Sequence, residues 1–539
     1  MKKIICVMIC IIVFAAVIPT ASSLEKDSYE LENVMEKKLE KKYIVDNYEL
    51  EDDFVVMQNP PDMSGYTDRS LKPVPMNTPD EFSWLDYMGG DWTTVAKNQG
   101  NCGSCWDFGA LGVFESKIEI AENCPELNPD LSEQYVLSCL SNAGSCRGGN
   151  SYKALTLIKE TTPEGNNYNG VVPESCFEYQ TDDDIPCSEK CTDWVEKLIP
   201  LSDYSYWRSY GTESDIESIK TQIMQDGPVI THIKATDPFK TWGALNNNPD
   251  AYYPDFRKVL GYNHIVMIVG WKDISSIATG GYWICKNSWG TNWGYNGFFN
   301  IAYNSLNIDN CAIIDVVYDE ESIDWPPIVD TGGPYGTYLG DFTNFDASES
   351  IGVESEIALY EWDFADQTGG FGETINHKYT ETGVYDVKLK ATDSDGNSQE
   401  KTTKVWVQES NNEASKPNIN GPNSGTIGKP YNYYFSSNDP EGNDIYYIIK
   451  WGDQDILNIY GPYESGEEIE LSHKWTKMGS YTIKAKSMDV FGDESDWKTF
   501  TINLPRNKAN NNYYIDSIIL EIYNKFPVLV RLINLMLKN

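Results

Sequence analysis

The stretch Gln99-Gly100-Asn101-Cys102-Gly103-Ser104-Cys105-Trp106 sets a cysteine at the head of a helix. Beyond it, Phe108, Leu111, Phe114 and Ile118 recur at three- and four-residue intervals, the spacing of one helical face. A thiol attacks as the thiolate, and at an ordinary pKa little thiolate exists at neutral pH. The exposed N–H groups and the dipole at a helix start favour that anion. A nearby imidazole adds a positive partner and a proton acceptor. Cys105 is therefore the candidate nucleophile.

The chain has four histidines. His377 and His473 fall at matching places in an internal repeat and read as structural. His232 lies in Gly227-Pro228-Val229-Ile230-Thr231-His232, and His264 opens the β-branched run His264–Trp271. A base has to be held rigidly within hydrogen-bond reach. A strand start provides that, so His264 is the better candidate. Asn287, in Lys286-Asn287-Ser288-Trp289-Gly290, offers an amide oxygen to orient the imidazole, and Trp289 can cover that bond. Ser132 can cap a second helix over Glu133–Ser138. The pattern then shifts to strand-like runs at His264–Trp271, Tyr282–Lys286, Gly297–Tyr303 and Ala312–Tyr318. Helix-rich followed by strand-rich sequence predicts an α+β fold with two lobes.

Cys102-Gly103-Ser104-Cys105-Trp106, the Asn263-His264 strand and Lys286-Asn287-Ser288-Trp289-Gly290, in this order, resemble the papain/cathepsin family of cysteine peptidases. The resemblance covers about residues 76–320 and implies a papain-like domain with a helical lobe and a β-rich lobe. It makes Cys105 the nucleophile, His264 its acid–base partner and Asn287 the group that orients His264. Gln99 donates its side-chain amide to the oxyanion with the Cys105 N–H. Gly148, Gly149, Trp289 and His232 are the implied substrate-binding residues. The resemblance also pairs Cys102 with Cys146, and Cys139 with Cys187 or Cys176, leaving Cys191 for the other. Cys285 with Cys311 is a further expected pair, and Cys124 has no obvious partner. The implied activity is cysteine-type endopeptidase, with protein or peptide substrates and neither cofactor nor metal.

Four features depart from the family's pattern. Asp107 stands where relatives carry a small apolar residue; an acid in a first helical turn suits the dipole and is expected to face outward. His264 follows Cys105 by more than the roughly 130–150 residues usual for this signature, so an insertion is expected around Pro238–Lys258. Asn150 and Ser151 replace an aromatic residue and a proline in the pocket for the second substrate residue, and His232 aligns with another wall of it. Residues 24–75 sit where the family carries an inhibitory propeptide, but they lack its usual helical motif.

The rest of the chain is organised around this block. Lys2 and Lys3, the apolar run Ile4–Ile18 and the small residues Thr20-Ala21-Ser22-Ser23 read as a secretory signal peptide over residues 1–23, too short for a membrane span. Cys6 and Cys10 fall within it; the other cysteines lie between Cys102 and Cys311. Export makes disulfides plausible, and no zinc-site spacing with histidine is present. Residues 326–504 repeat: His377-Lys378-Tyr379 matches His473-Lys474-Trp475, and Gly383-Val384-Tyr385 matches Gly479-Ser480-Tyr481. Short alternating strands predict two β-sandwiches, at 326–408 and 416–504. Gly333-Pro334-Tyr335, Trp362-Asp363-Phe364 and Gly383-x-Tyr385 give the first a resemblance to a PKD domain, with the second a divergent copy. That resemblance implies contact with a cell surface or a polymer. Asp363, Asp366 and Asp393 read as turn residues rather than calcium ligands, since calcium needs six to eight oxygens in one place. Residues 513–539 read as an amphipathic helix. The formal charge of −39 argues against nucleic acid. Two rival functions remain open at this level: an inactive surface scaffold, and acyl transfer through the same site.

Overall fold

A computed structural model describes residues 72–505, apart from 161–168, 255–258, 320–322, 454 and 476. The expected signal peptide, most of the expected propeptide and the C-terminal helix lie outside the described residues.

Cys105 does begin a helix, α1 (Cys105–Ala121). Its apolar face was legible, but the helix is buried on every side from Cys105 to Glu119. It is the central helix of a lobe, not an amphipathic one lying on a surface. That burial forces its polar residues to find partners. Glu115 accepts from Thr94 Oγ1 at 2.8 Å and from the Leu131 N–H at 2.9 Å, and Lys117 pairs with Asp315 at 2.6 Å. The helices α2 (Glu133–Cys139) and α3 (Ser151–Glu160) pack beside it, and Ser132 Oγ caps α2 by accepting the Tyr135 N–H at 3.0 Å.

The second lobe is a mixed sheet. Its strands are β1 (Glu81–Ser83), β2 (Asp203–Arg208), β3 (Val229–Ile233), β4 (Tyr252–Tyr253), β5 (His264–Asp273), β6 (Gly281–Lys286), β7 (Phe298–Ala302) and β8 (Ala312–Val317). They run in the order β2-β8-β3-β5-β6-β7-β4, with β1 also on β5. Strands β3, β6 and β7 are buried along their whole length. Two helices complete the lobe: α4 (Glu213–Asp226), closed by a Thr212–Asp215 capping box, and α5 (Asp237–Leu245). The region expected to hold an insertion thus contains α5.

Among the described residues three disulfides join Cys102 to Cys146, Cys139 to Cys187 and Cys176 to Cys191. The expected Cys285–Cys311 pair is corrected: both are buried thiols outside any disulfide, as is Cys124. Each serves as packing, Cys285 on β6 and Cys311 against Thr231. Residues 72–75, assigned from sequence to the extension, lie against α4. Lys72 Nζ meets Asp215 at 2.5 Å, and Ser218 Oγ donates to Pro73 O at 2.7 Å.

The first sandwich contains β9 (Tyr335–Tyr338), β10 (Thr343–Asp346), β11 (Ile357–Asp363), β12 (Gly369–Phe371), β13 (Thr374–His377), β14 (Gly383–Asp393) and β15 (Ser398–Gln408). A β9-β15-β14-β11-β12 sheet faces the β10-β13 pair. The second contains β16 (Asn418–Asn420), β17 (Pro430–Ser436), β18 (Ile445–Lys450), β19 (Asn458–Tyr463), β20 (Glu468–Lys474), β21 (Gly479–Asp489) and β22 (Lys498–Leu504), in sheets β16-β17-β20 and β19-β18-β21-β22. The repeated histidines occupy the same place in each. His377 stacks on Phe364 at 4.0 Å and bonds Asp366 at 2.8 Å; His473 stacks on Trp451 at 4.6 Å and bonds Asp453 at 3.0 Å. Asp363 and Asp393 accept backbone N–H groups of their own turns, and Asp366 does so besides its histidine.

Candidate active site

Cys105 is the first residue of α1, after Ser104, and its side chain is buried. Tyr179 fastens the residues ahead of it: the phenol donates to Gln99 O at 3.0 Å and shares a 2.8 Å bond with Ser104 Oγ. The Cys102–Cys146 disulfide and the Gly103 N–H to Cys146 O bond (2.8 Å) tie this loop to the Gly148–Gly149 strand. Gly149 and Gly144 both lie flat against Trp106. A Cβ on Gly149 would come within 2.5 Å of the indole, so no side chain fits there.

His264 opens β5 and is fully buried. Its Nε2 lies 2.7 Å from Asn287 Oδ1. The same oxygen accepts the Ser288 N–H at 2.9 Å, which fixes it as oxygen rather than nitrogen. Nε2 must therefore carry the proton, and Nδ1 presents a lone pair. Among the described residues no hydrogen bond reaches Nδ1. Trp289 stacks on the imidazole at 4.4 Å, and Trp293 meets Trp289 edge-on at 4.9 Å. Burial holds the imidazole pKa down at about 4; the Asn287 bond opposes this and the Lys240 charge adds to it.

Two connections bring the nucleophile's helix to the histidine's strand. Gly109, one turn after Cys105, sits so close to Ile265 that a Cβ would lie 2.7 Å from its Cγ2. Gln99 bonds to Ser288 twice: its N–H donates to Ser288 O at 2.9 Å, and its Oε1 accepts from Ser288 Oγ at 2.6 Å. Gln99 Nε2 donates to Cys102 O at 2.8 Å. The structure so draws Cys105, Gln99, His264, Asn287 and Trp289 to one seam between the lobes.

His232 lies on β3, fully buried, with Nδ1 3.3 Å from Ala312 O and Nε2 unpartnered among the described residues. Burial pushes its pKa down to about 4. Asn150 and Ser151 turn to helix-starting work: Asn150 Oδ1 accepts the Lys153 N–H, and Ser151 Oγ donates to Trp106 O at 2.6 Å. The outward placement expected of Asp107 is corrected. Its carboxyl is fully buried, and neither oxygen has a hydrogen-bond partner among the described residues. Burial, and then the charge of Glu133, push its pKa well above the carboxylate range, with Lys97 opposing and Glu174 adding. The cause is α1 itself: a helix buried all round has no outer face at that position.

Sequence reasoning passed over Tyr179, Ser288 and Lys240. Ser288 stood inside a quoted motif, but its bond to Gln99 spans the two lobes. Lys240 lay in the stretch taken for an insertion and carried no local signal.

A family model for papain family cysteine protease matches residues 78–319, and one for the PKD domain matches residues 325–407. The chain is 32% identical to cathepsin Z of Onchocerca volvulus over 233 residues, covering 42% of this chain and 70% of that protein. It is 30% identical to cathepsin B-like cysteine proteinase 6 of Caenorhabditis elegans, over 45% of this chain and 66% of the relative. Among solved structures, the proform of the ragweed pollen cysteine protease Amb a 11 is 20% identical, covering 48% of this chain and 72% of its own, with a TM-score of 0.37.

Proposed function

The chain belongs to the papain family of cysteine proteases, and on that premise we propose that it is an exported endopeptidase working through a Cys105 thiolate, a His264 imidazolium and an acyl-enzyme. The observation that carries this is the fixed tautomer of His264. With Nε2–H given to Asn287, the Nδ1 lone pair is the one available to take the Cys105 proton. Burial disfavours an isolated imidazolium, so the charged form gains its stability from the thiolate formed in the same transfer.

The sulfur then attacks the peptide carbonyl. Negative charge gathers on the carbonyl oxygen, which the Gln99 amide and the Cys105 N–H receive; losing one such donor costs about 2.7–4 kcal/mol of transition-state stabilisation. The C–N bond breaks as Nδ1–H passes its proton to the leaving amine. Nδ1 next takes a proton from water, hydroxide adds to the thioester, and the carboxylic acid departs as sulfur recovers as the leaving group. Gly148 and Gly149 receive the substrate backbone, His232 walls the pocket for the second residue, and Trp289 keeps water from the His264–Asn287 bond. Export is supported by the leader-like first residues and by three disulfides, which persist in oxidising compartments.

Cys105→Ala should abolish hydrolysis of a peptide library while circular dichroism and melting stay as in the parent. In the parent, a thiol-directed alkylating agent should label Cys105 ahead of Cys124, Cys285 and Cys311. Full hydrolysis by the alanine variant would end the proposal.

A further inference from the structure

We propose that Lys240 makes the enzyme selective for a carboxylate on the first residue after the scissile bond. The inference rests on the peptidase reading above and goes on to the substrate that site would favour.

The leaving amine takes its proton from His264, so the first residue beyond the broken bond must emerge over the imidazole. Trp289 covers one face of that ring, and α5 lies behind Trp289. Phe239, fully buried, anchors α5 there, with its ring 6.2 Å from Trp289, 5.4 Å from Trp293 and 5.1 Å from Phe299. The next residue is Lys240. Its backbone is held at both ends: its N–H donates to Thr236 O at 3.0 Å, and its carbonyl accepts from Trp293 Nε1 at 3.1 Å. Its side chain is only 21% exposed, and its charge is among those that act against protonation of His264. A cation whose charge is felt at the imidazole is felt also by a leaving group attached over it.

The ammonium has a weak competitor. Its ion pair is with Asp237 at 3.4 Å, three residues earlier on the same helix and 94% exposed. Such exposed pairs contribute little and are easily exchanged. A carboxylate after the scissile bond would meet its favourable charge here.

The test uses the full chain and peptides identical except after the scissile bond: Glu, Gln or Lys within a longer peptide, and Gln as the last residue with a free or an amidated terminus. The parent should cleave the Glu peptide about two- to fivefold better than the Gln peptide in kcat/KM, the worth of one partly exposed charge pair. Lys240→Gln should bring that ratio to about one, and Lys240→Glu should invert it in favour of Lys. Ratios taken within one variant are insensitive to a change in the active fraction. The free and amidated pair separates the sources of the carboxylate: side chain, chain terminus or both. A parent ratio near one in both series, or a preference that survives Lys240→Gln, overturns the proposal. Failure of the parent to cleave any of these peptides, with Cys105 unreactive, would instead remove the peptidase reading and this one with it.

Discussion

Asp107, two residues after the nucleophile, is a carboxyl with no hydrogen-bond partner among the described residues and no route to solvent. The groups around it are Glu133, Lys97, Glu174 and Tyr179. Burial keeps it protonated, as it keeps Glu119, whose pKa is raised to about 9. An acid whose pKa is raised on folding holds its proton in the native state and has lost it in the unfolded chain, so stability falls as pH rises above the unfolded value near 4. Asp107→Asn removes one such group without changing its shape. The variant should gain on the parent as pH goes from 4 to 8, by about 1.4 kcal/mol in denaturant-derived stability for each pH unit over which the native carboxyl keeps its proton. A parent–variant difference that is flat over that range would show Asp107 to be ionised in the native state. Asn287→Ala should keep part of the activity, since it loosens the imidazole without removing it; kcat measured against pH reads the change.

Among elements, the spacing between α1 and β5 decides whether sulfur and imidazole meet. Gly109 and Gly112 make the approach possible: a Cβ on Gly109 would reach 2.7 Å from Ile265, and one on Gly112 2.8 Å from Met267 Sδ. Alanine in a helix is favoured over glycine by up to about 1 kcal/mol. Overpacking against a β-branched side chain in a buried strand costs about 1–3 kcal/mol, and here the clash wins. Gly109→Ala should lower kcat/KM at least tenfold, as reacting groups pushed apart do. It should also lower the melting temperature, though Cys105 stays open to alkylation. Unchanged kinetics would mean that the strand yields freely. The helix and its start were legible from the spacing of Phe108, Leu111, Phe114 and Ile118. Its two flush glycines were not, because nothing local distinguishes a glycine under a strand from one in an ordinary helix.

At the scale of the molecule, the second sandwich rests on the lobe that carries His264. Lys474 Nζ donates to Gly294 O at 3.3 Å, Asn247 Nδ2 donates to Lys474 O at 3.3 Å, and Gly428 lies against Leu245. Gly294 follows Trp293, which meets Trp289, which covers His264. The sandwich therefore braces the turn behind the imidazole. Burial holds the Lys474 pKa down at about 8. Lys474→Ala should weaken the brace by about 1 kcal/mol, the usual net worth of one hydrogen bond, and make the Gly294 turn easier to cut by an added protease. Lys474→Arg should restore much of the protection. Equal cutting of parent and alanine variant would separate the sandwich from the catalytic lobe.

What the sequence determined by itself was local in its physics: a thiol at a helix start, an imidazole at a strand start, an amide to steady it, and a repeated strand pattern with its His–aromatic motif. Helix spacing, strand alternation and turn chemistry act over a few residues, so they can be read from a few residues. Tertiary structure alone decided which face Asp107 would occupy, that Cys285 and Cys311 would stay apart, and that α5 would pack behind Trp289 and set the Lys240 charge against His264. Those outcomes depend on what packs against each element, which is set by residues tens of positions away and by the burial they jointly create.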